Sequence, residues 1–170
     1  LGSMTHNSAD YIAIVAEAMK YATIDKDNKM GDPAFDDVPI EDFISRHHAA
    51  ECAKRIKNGE KADVIRFGDP EEAKDTTHVT VVDEDGNCVS MTHSLGMPSG
   101  VVSQGMGFMY NGCMGAFDPR PDMPHSIGPG KRRFTAMCPT IVFKGEDPYI
   151  AVGAPGGTFI TMGVLQAILN

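Results

Sequence analysis

Two places in this 170-residue sequence carry residues whose type and setting could do chemistry. The first is Thr76, which opens Thr76-Thr77-His78 directly after an aperiodic polar segment running from Glu60 to Asp75. A threonine hydroxyl is a poor nucleophile until a base takes its proton. If the peptide bond before it is cut, its own freed α-amine, with an unperturbed pKa of about 7.7–8.0, can be that base. The second place is Gly153-Ala154-Pro155-Gly156-Gly157. Glycine lets backbone N–H groups approach a substrate closely, and two such donors can hold the oxyanion of a tetrahedral intermediate. Each feature also has an ordinary reading, as a strand start and as a loop turning from strand into helix, and spacing alone does not choose.

Other constellations carry less. His47 and His48 with Glu51 are read as a solvated helix face rather than a metal site. Cys52, Cys88, Cys113 and Cys138 are dispersed without a CxxC pair and are read as free, mostly buried thiols. Gly105-Met106-Gly107 lacks the third glycine of a dinucleotide loop. Met91, Met97, Met106, Met109, Met114 and Met137 are read as core filling. His78 is read as lying on the opposite side of its strand from Thr76, so no Ser-His style base is expected. A net charge of -8, with no basic run larger than Lys131-Arg132-Arg133, argues against nucleic-acid binding. No apolar run is long enough to span a bilayer. No signal peptide is visible, and localisation stays open.

The elements that must hold these residues follow from periodicity. Tyr11, Ile14, Val15, Ala18, Met19 and Ala22 recur at helical spacing, with Asn7 or Ser8 as cap, for a helix of about four turns. Pro39 to Phe43 makes a helical turn, and Ser45 caps a second long helix from Arg46 towards Asn58, stopped by Gly59. From Thr77 the pattern alternates, Asp85-Gly86 supplies a turn, and Cys88 to Thr92 return as a hairpin partner. Short strands are expected at 100–102, 108–110, 140–143 and 149–152, and a last helix from Thr158 to Leu169. Length alone favours one domain.

Several stretches in order resemble the γ-glutamyltransferase family. Asp75-Thr76-Thr77-His78 followed by Val81-Val82-Asp83-Glu84-Asp85-Gly86-Asn87 is similar to the start of its small subunit, and Ser8 through Gly31-Asp32-Pro33 to the C-terminal part of its large subunit. Pro139-Thr140-Ile141-Val142 and Gly153 to Gly157 resemble its later signatures. The resemblance implies an α+β four-layer αββα sandwich of the N-terminal-nucleophile hydrolase type. It places residues 1–75 in the C-terminal part of the large-subunit region, with its exposed linker, and 76–170 in the N-terminal part of the small-subunit catalytic region. It implies autoprocessing of a zymogen between Asp75 and Thr76, with Thr76 as catalytic nucleophile, Ser94 as its hydroxyl partner, and Gly156 and Gly157 as oxyanion donors. Transfer or hydrolysis of a γ-glutamyl, glutathione-type amide would follow, with no cofactor and no metal. Partners would be the small-molecule amide and the remaining portions of the same precursor; a homo-oligomer is compatible.

The sequence departs from the family where the glutamyl head group is held. Gly115 and Ala116 stand where the family carries two Asp, Gly96 stands for an Asn, and Thr135-Ala136 replaces a Ser pair, leaving Thr135 as the substrate-binding hydroxyl. The segment from Asp118 to Gly130 is short where many members have a lid. A related acylase acting on a non-glutamyl acyl group is therefore the alternative enzyme, and an uncut, non-catalytic scaffold is the alternative of a different class.

Overall fold

The computed structural model describes residues 1–65 and 76–170; the expected linker and Asp75 fall largely outside them. The chain forms two compact units, Leu1–Asp69 with Phe117–Phe134, and Pro70–Ala116 with Thr135–Asn170. Length alone favoured one. The division also differs from a simple cut in the chain, because a segment from well beyond Thr76 packs with the N-terminal helices.

The first unit is helical. Ser8 accepts the Tyr11 N–H at 3.3 Å, and the helix it opens, α1, runs Ala9–Lys29, longer than the apolar pattern suggested. Asn7 adopts a positive φ of 55° and is not the cap. After a short α2 (Ile40–Phe43), Ser45 accepts the His48 N–H at 3.0 Å and starts α3 (Arg46–Lys57). Tyr11, Val15, Tyr21 and Ala62 are its buried apolar residues. The buried Glu17 carboxylate accepts the Ala62 N–H at 2.8 Å and the Lys20 ammonium at 2.9 Å, fastening the chain beyond α3 back onto α1. Between α1 and α3 lies a mainly apolar groove of about 590 Å³, walled by Ile14, Ala18 and Ala22 on one side and Ala49, Cys52 and Ile56 on the other.

The second unit is built from three antiparallel hairpins: β1 (Thr76–Val82) with β2 (Cys88–Ser94), β3 (Pro98–Val102) with β4 (Met109–Asn111), and β5 (Thr140–Lys144) with β6 (Asp147–Val152). A 3-10 turn at Gly157–Phe159 leads into α4 (Ile160–Leu169), whose Ile160 and Val164 are buried. The first hairpin is two-faced. Val79, Val81, Val89 and Met91 lie 39–54% exposed on one side, while Thr76, His78, Ser90, Thr92 and Ser94 are half-buried on the other.

Two expectations fail here. Met91, Met97, Met106 and Met114 are exposed and do not fill a core, and the apolar side of the β1–β2 hairpin is exposed with them. The four cysteines are free as expected, but each is half-exposed rather than buried.

Candidate active site

The hairpin turn determines what stands opposite Thr76. Asp83 closes it: its carboxylate accepts the backbone N–H groups of Asp85 and Asn87 at 3.1 and 2.8 Å and the Asn87 side-chain amide at 2.8 Å. The hydrogen bonds from Asn87 hold the Asp83 carboxyl below its ordinary pKa. Gly86 supplies the positive φ of 83° that the turn requires. With Val82 paired to Cys88, the ladder runs without a bulge through seven pairs and ends with Thr76 opposite Ser94.

At that end the two hydroxyls meet, Thr76 Oγ1 and Ser94 Oγ lying 2.8 Å apart. The Gly96 N–H donates to the same Ser94 oxygen at 2.9 Å. Ser94 keeps its own proton and a second lone pair, so it can steer the Thr76 oxygen either as donor or as acceptor. Gly96 has φ of 70°, and a Cβ there would lie 3.0 Å from Cys113 Sγ, which makes glycine the fitting residue on both counts. The donor from Gly96 had no signature in the sequence.

His78 requires a correction. Side chains alternate along a strand, so a residue two positions from Thr76 shares its face rather than the opposite one. In the structure His78 Nδ1 bonds Thr92 Oγ1 at 2.9 Å and Nε2 bonds Thr80 Oγ1 at 3.1 Å, so the partners of both ring nitrogens are threonines other than Thr76. The ring also touches the far end of β6, since a Cβ on Gly153 would collide with it. One strand over, the Ser90 hydroxyl donates to the Val152 carbonyl at 3.2 Å.

These two contacts fix the point from which the glycine loop departs, on the face that carries Thr76. Gly156 and Gly157 follow with φ of 137° and 55°, conformations that L side chains rarely adopt. They stand at the start of the 3-10 turn and α4, where backbone N–H groups lack helical partners and the helix dipole is positive. Among the described residues neither N–H meets an acceptor, and no hydrogen bond joins Thr76 to Gly156, Gly157 or Thr135. Thr135 is exposed and accepts the Met137 N–H at 3.2 Å, and the adjoining Ala136 carbonyl accepts from Thr161 of α4 at 3.3 Å.

Among the described residues no group of His, Cys, Asp and Glu could hold a metal ion. His47 stands 3.9 Å from Glu51 on an exposed face, and His48 turns to Asp25 at 2.8 Å. Among the same residues, no helix is long and apolar enough to cross a membrane.

With this geometry in view, the comparisons with known proteins are specific. The family model described as gamma-glutamyltranspeptidase matches residues 1–170. The chain is 36% identical to the glutathione hydrolase proenzyme of Escherichia coli over 96% of its own length, and 38% identical to the acylase ACY 1 proenzyme of a Pseudomonas strain over 100%. It spans 31% of the length of each. The solved gamma-glutamyltranspeptidase of Pseudomonas nitroreducens, complexed with L-DON, aligns with a TM-score of 0.51 at 36% identity, covering 55% of this chain and 55% of that one. The chain belongs to the gamma-glutamyltranspeptidase family.

Proposed function

We propose that this chain is part of an autoprocessed enzyme that transfers or hydrolyses a γ-glutamyl amide through an acyl-enzyme on Thr76. The observation that carries the reading is the 2.8 Å contact between the Thr76 and Ser94 hydroxyls at the head of β1, with the Gly96 N–H behind it. The proenzyme names of the relatives support processing, and the resemblance puts the cut between Asp75 and Thr76. The Thr76 oxygen attacks the Asp75 carbonyl, the acyl group moves from nitrogen to oxygen, and water splits the ester, leaving a carboxylate on Asp75 and a free amine on Thr76.

That amine then takes the hydroxyl proton while Thr76 Oγ1 attacks the substrate amide. The developing oxyanion is held by the Gly156 and Gly157 N–H groups. The proton passes to the leaving amine, and water or an acceptor amine releases the acyl group from the ester. Ser94 keeps the Thr76 oxygen aimed at the incoming carbonyl, and Thr135 contributes a substrate hydroxyl contact. The reading places the two units within an αββα sandwich completed by the rest of the precursor, which is also the expected cover for the exposed Val79, Val81, Val89 and Met91. Denaturing gel electrophoresis of the full-length protein beside a Thr76→Ala variant tests it: two fragments are expected in the parent alone, and an uncut yet active parent contradicts it.

A second reading has its own support. From Ser94 to Phe117 the chain carries no Asp, Glu, Lys, Arg or His, and this stretch folds back beside Ser94, with the Gly112 N–H donating to the Leu95 and Met97 carbonyls. Gly96, Gly115 and Ala116 offer no charge to a zwitterionic head group, which favours a non-glutamyl acyl donor, and one relative is named an acylase. A panel of γ-glutamyl and aliphatic-acyl anilides separates the two, since a strong preference for the γ-glutamyl donor dismisses the acylase.

A further inference from the structure

The segment Phe117–Phe134 lies beyond Thr76 in the chain but packs in the same compact unit as α1, α2 and α3. Its attachments are specific. The Asp32 side chain, 1% exposed, accepts the Arg132 backbone N–H at 2.7 Å and the guanidinium Nη2 at 2.6 Å, with Nε at 3.1 Å. The same carboxylate accepts the Ala34 N–H at 3.1 Å, so it is fixed before Arg132 arrives. Next to it the Lys131 ammonium, on a side chain only 10% exposed, lies 2.8 Å from Asp36.

Midway along the segment His125 Nε2 donates to the Lys26 carbonyl at 3.1 Å, and its ring lies tilted against Phe134 with centroids 4.9 Å apart, the Lys26 ammonium sitting over the Phe134 ring at 5.1 Å. Backbone closeness is built in as well: a Cβ on Gly31 would meet Asp36 and, at 2.8 Å, the Pro124 carbonyl. Each of these fasteners that crosses between the segment and the helices joins a residue numbered below 76 to one numbered above it. Their charges are complementary, two carboxylates before Thr76 against a lysine and an arginine after it.

We propose that, once the chain is cut before Thr76, residues 117–134 act as the clasp by which the downstream polypeptide holds the upstream one, with Asp32–Arg132 and Asp36–Lys131 as its charged pins. The partner surface is thus the other product of the same precursor, and the proposal rests on the processing reading above. Scission leaves every one of these contacts intact because none depends on the peptide bond at Thr76. A buried carboxylate bonded to a guanidinium and a backbone N–H gives the pin both strength and a single seating.

The test uses the processed full-length protein, immobilised by a tag on the upstream chain and washed with rising salt. Arg132→Gln combined with Lys131→Gln is expected to raise the rate at which the downstream chain is released by about tenfold or more. The same pair of substitutions placed on the uncut Thr76→Ala precursor is expected to leave a folded, single chain that unfolds at a lower temperature than its parent, because Asp32 loses its partner, but that keeps its two portions joined through every wash. The clasp is overturned if the processed variant keeps its downstream chain through the same washes as the parent, or if the uncut variant is as badly destabilised as the cut one. A parent that shows one band instead of two fails the processing reading, and that failure is visible on the gel before any wash.

Discussion

Replacing Ser94 by alanine removes two hydrogen bonds at once, the 2.8 Å contact to Thr76 Oγ1 and the 2.9 Å bond from the Gly96 N–H. Each neutral hydrogen bond has a net worth of about 0.5–1.5 kcal/mol, and the half-buried Gly96 N–H is left without its acceptor. Together they come to about 1–3 kcal/mol, which at 1.4 kcal/mol per tenfold is a loss of about five- to a hundredfold in any step that needs the Thr76 oxygen held in line. In the proposed mechanism two steps do, autoprocessing and acyl transfer. Both should therefore slow together, whereas Ser94→Thr, which keeps the hydroxyl, should restore both. A time course of precursor disappearance on denaturing gels gives the first rate, and steady-state turnover of the fully processed fraction gives the second. A Ser94→Ala protein that matures and turns over at parental rates would refute the reasoning, because the hydroxyl pair would then be a packing contact only.

The remaining expectations follow from the same geometry. Gly153→Ala drives a methyl group into the His78 imidazole and should destabilise the protein by about 1–3 kcal/mol, read as a lower denaturation midpoint at unchanged m-value. Gly156→Ala has room for its Cβ, 3.9 Å from Ile160, but forces a side chain into φ of 137°; displacing the proposed oxyanion donor should lower kcat about a hundredfold or more, and the backbone strain should cost about 1–3 kcal/mol of stability. Acid should loosen the helical unit. The Asp32 carboxyl is held well below the usual range by its hydrogen bonds to Arg132, and that of Glu17 is lowered by Lys20 and the Ala62 N–H, with Lys61 adding its charge. Because both folded values are depressed, their stabilisation is fully present above the ordinary carboxylate pKa of about 4 and is lost as pH falls below it. Thermal unfolding followed downward from neutral pH should fall in that window, and Asp32→Asn should flatten the dependence.

How far the sequence carried the structure depends on the range of the interactions. The hairpin was legible because alternation over Thr77 to Val82 and the Asp85-Gly86 turn are local signals, and once the turn is placed the ladder sets Thr76 against Ser94 without further information. Ser8 and Ser45 were legible as caps for the same reason. The seating of residues 117–134 was not, because Arg132 finds Asp32 one hundred residues away and a run of three basic residues gives no hint that two of them are neutralised. The methionines misled because an apolar residue in a strand-rich stretch is normally covered, and here Met91 on β2 and Met97, Met106 and Met114 nearby are not. Family membership was legible from motif order, and the pairing of Thr76 with Ser94 gives the expected hydroxyl contact a distance.

The proposed chemistry requires the Thr76 nitrogen to become a free amine beside its own hydroxyl, and mass-spectrometric mapping of chain termini in the mature, active full-length protein reads this out. A polypeptide that begins at Thr76 is expected, absent from the Thr76→Ala variant. A fully active protein in which the Thr76 nitrogen is still in peptide linkage would contradict it.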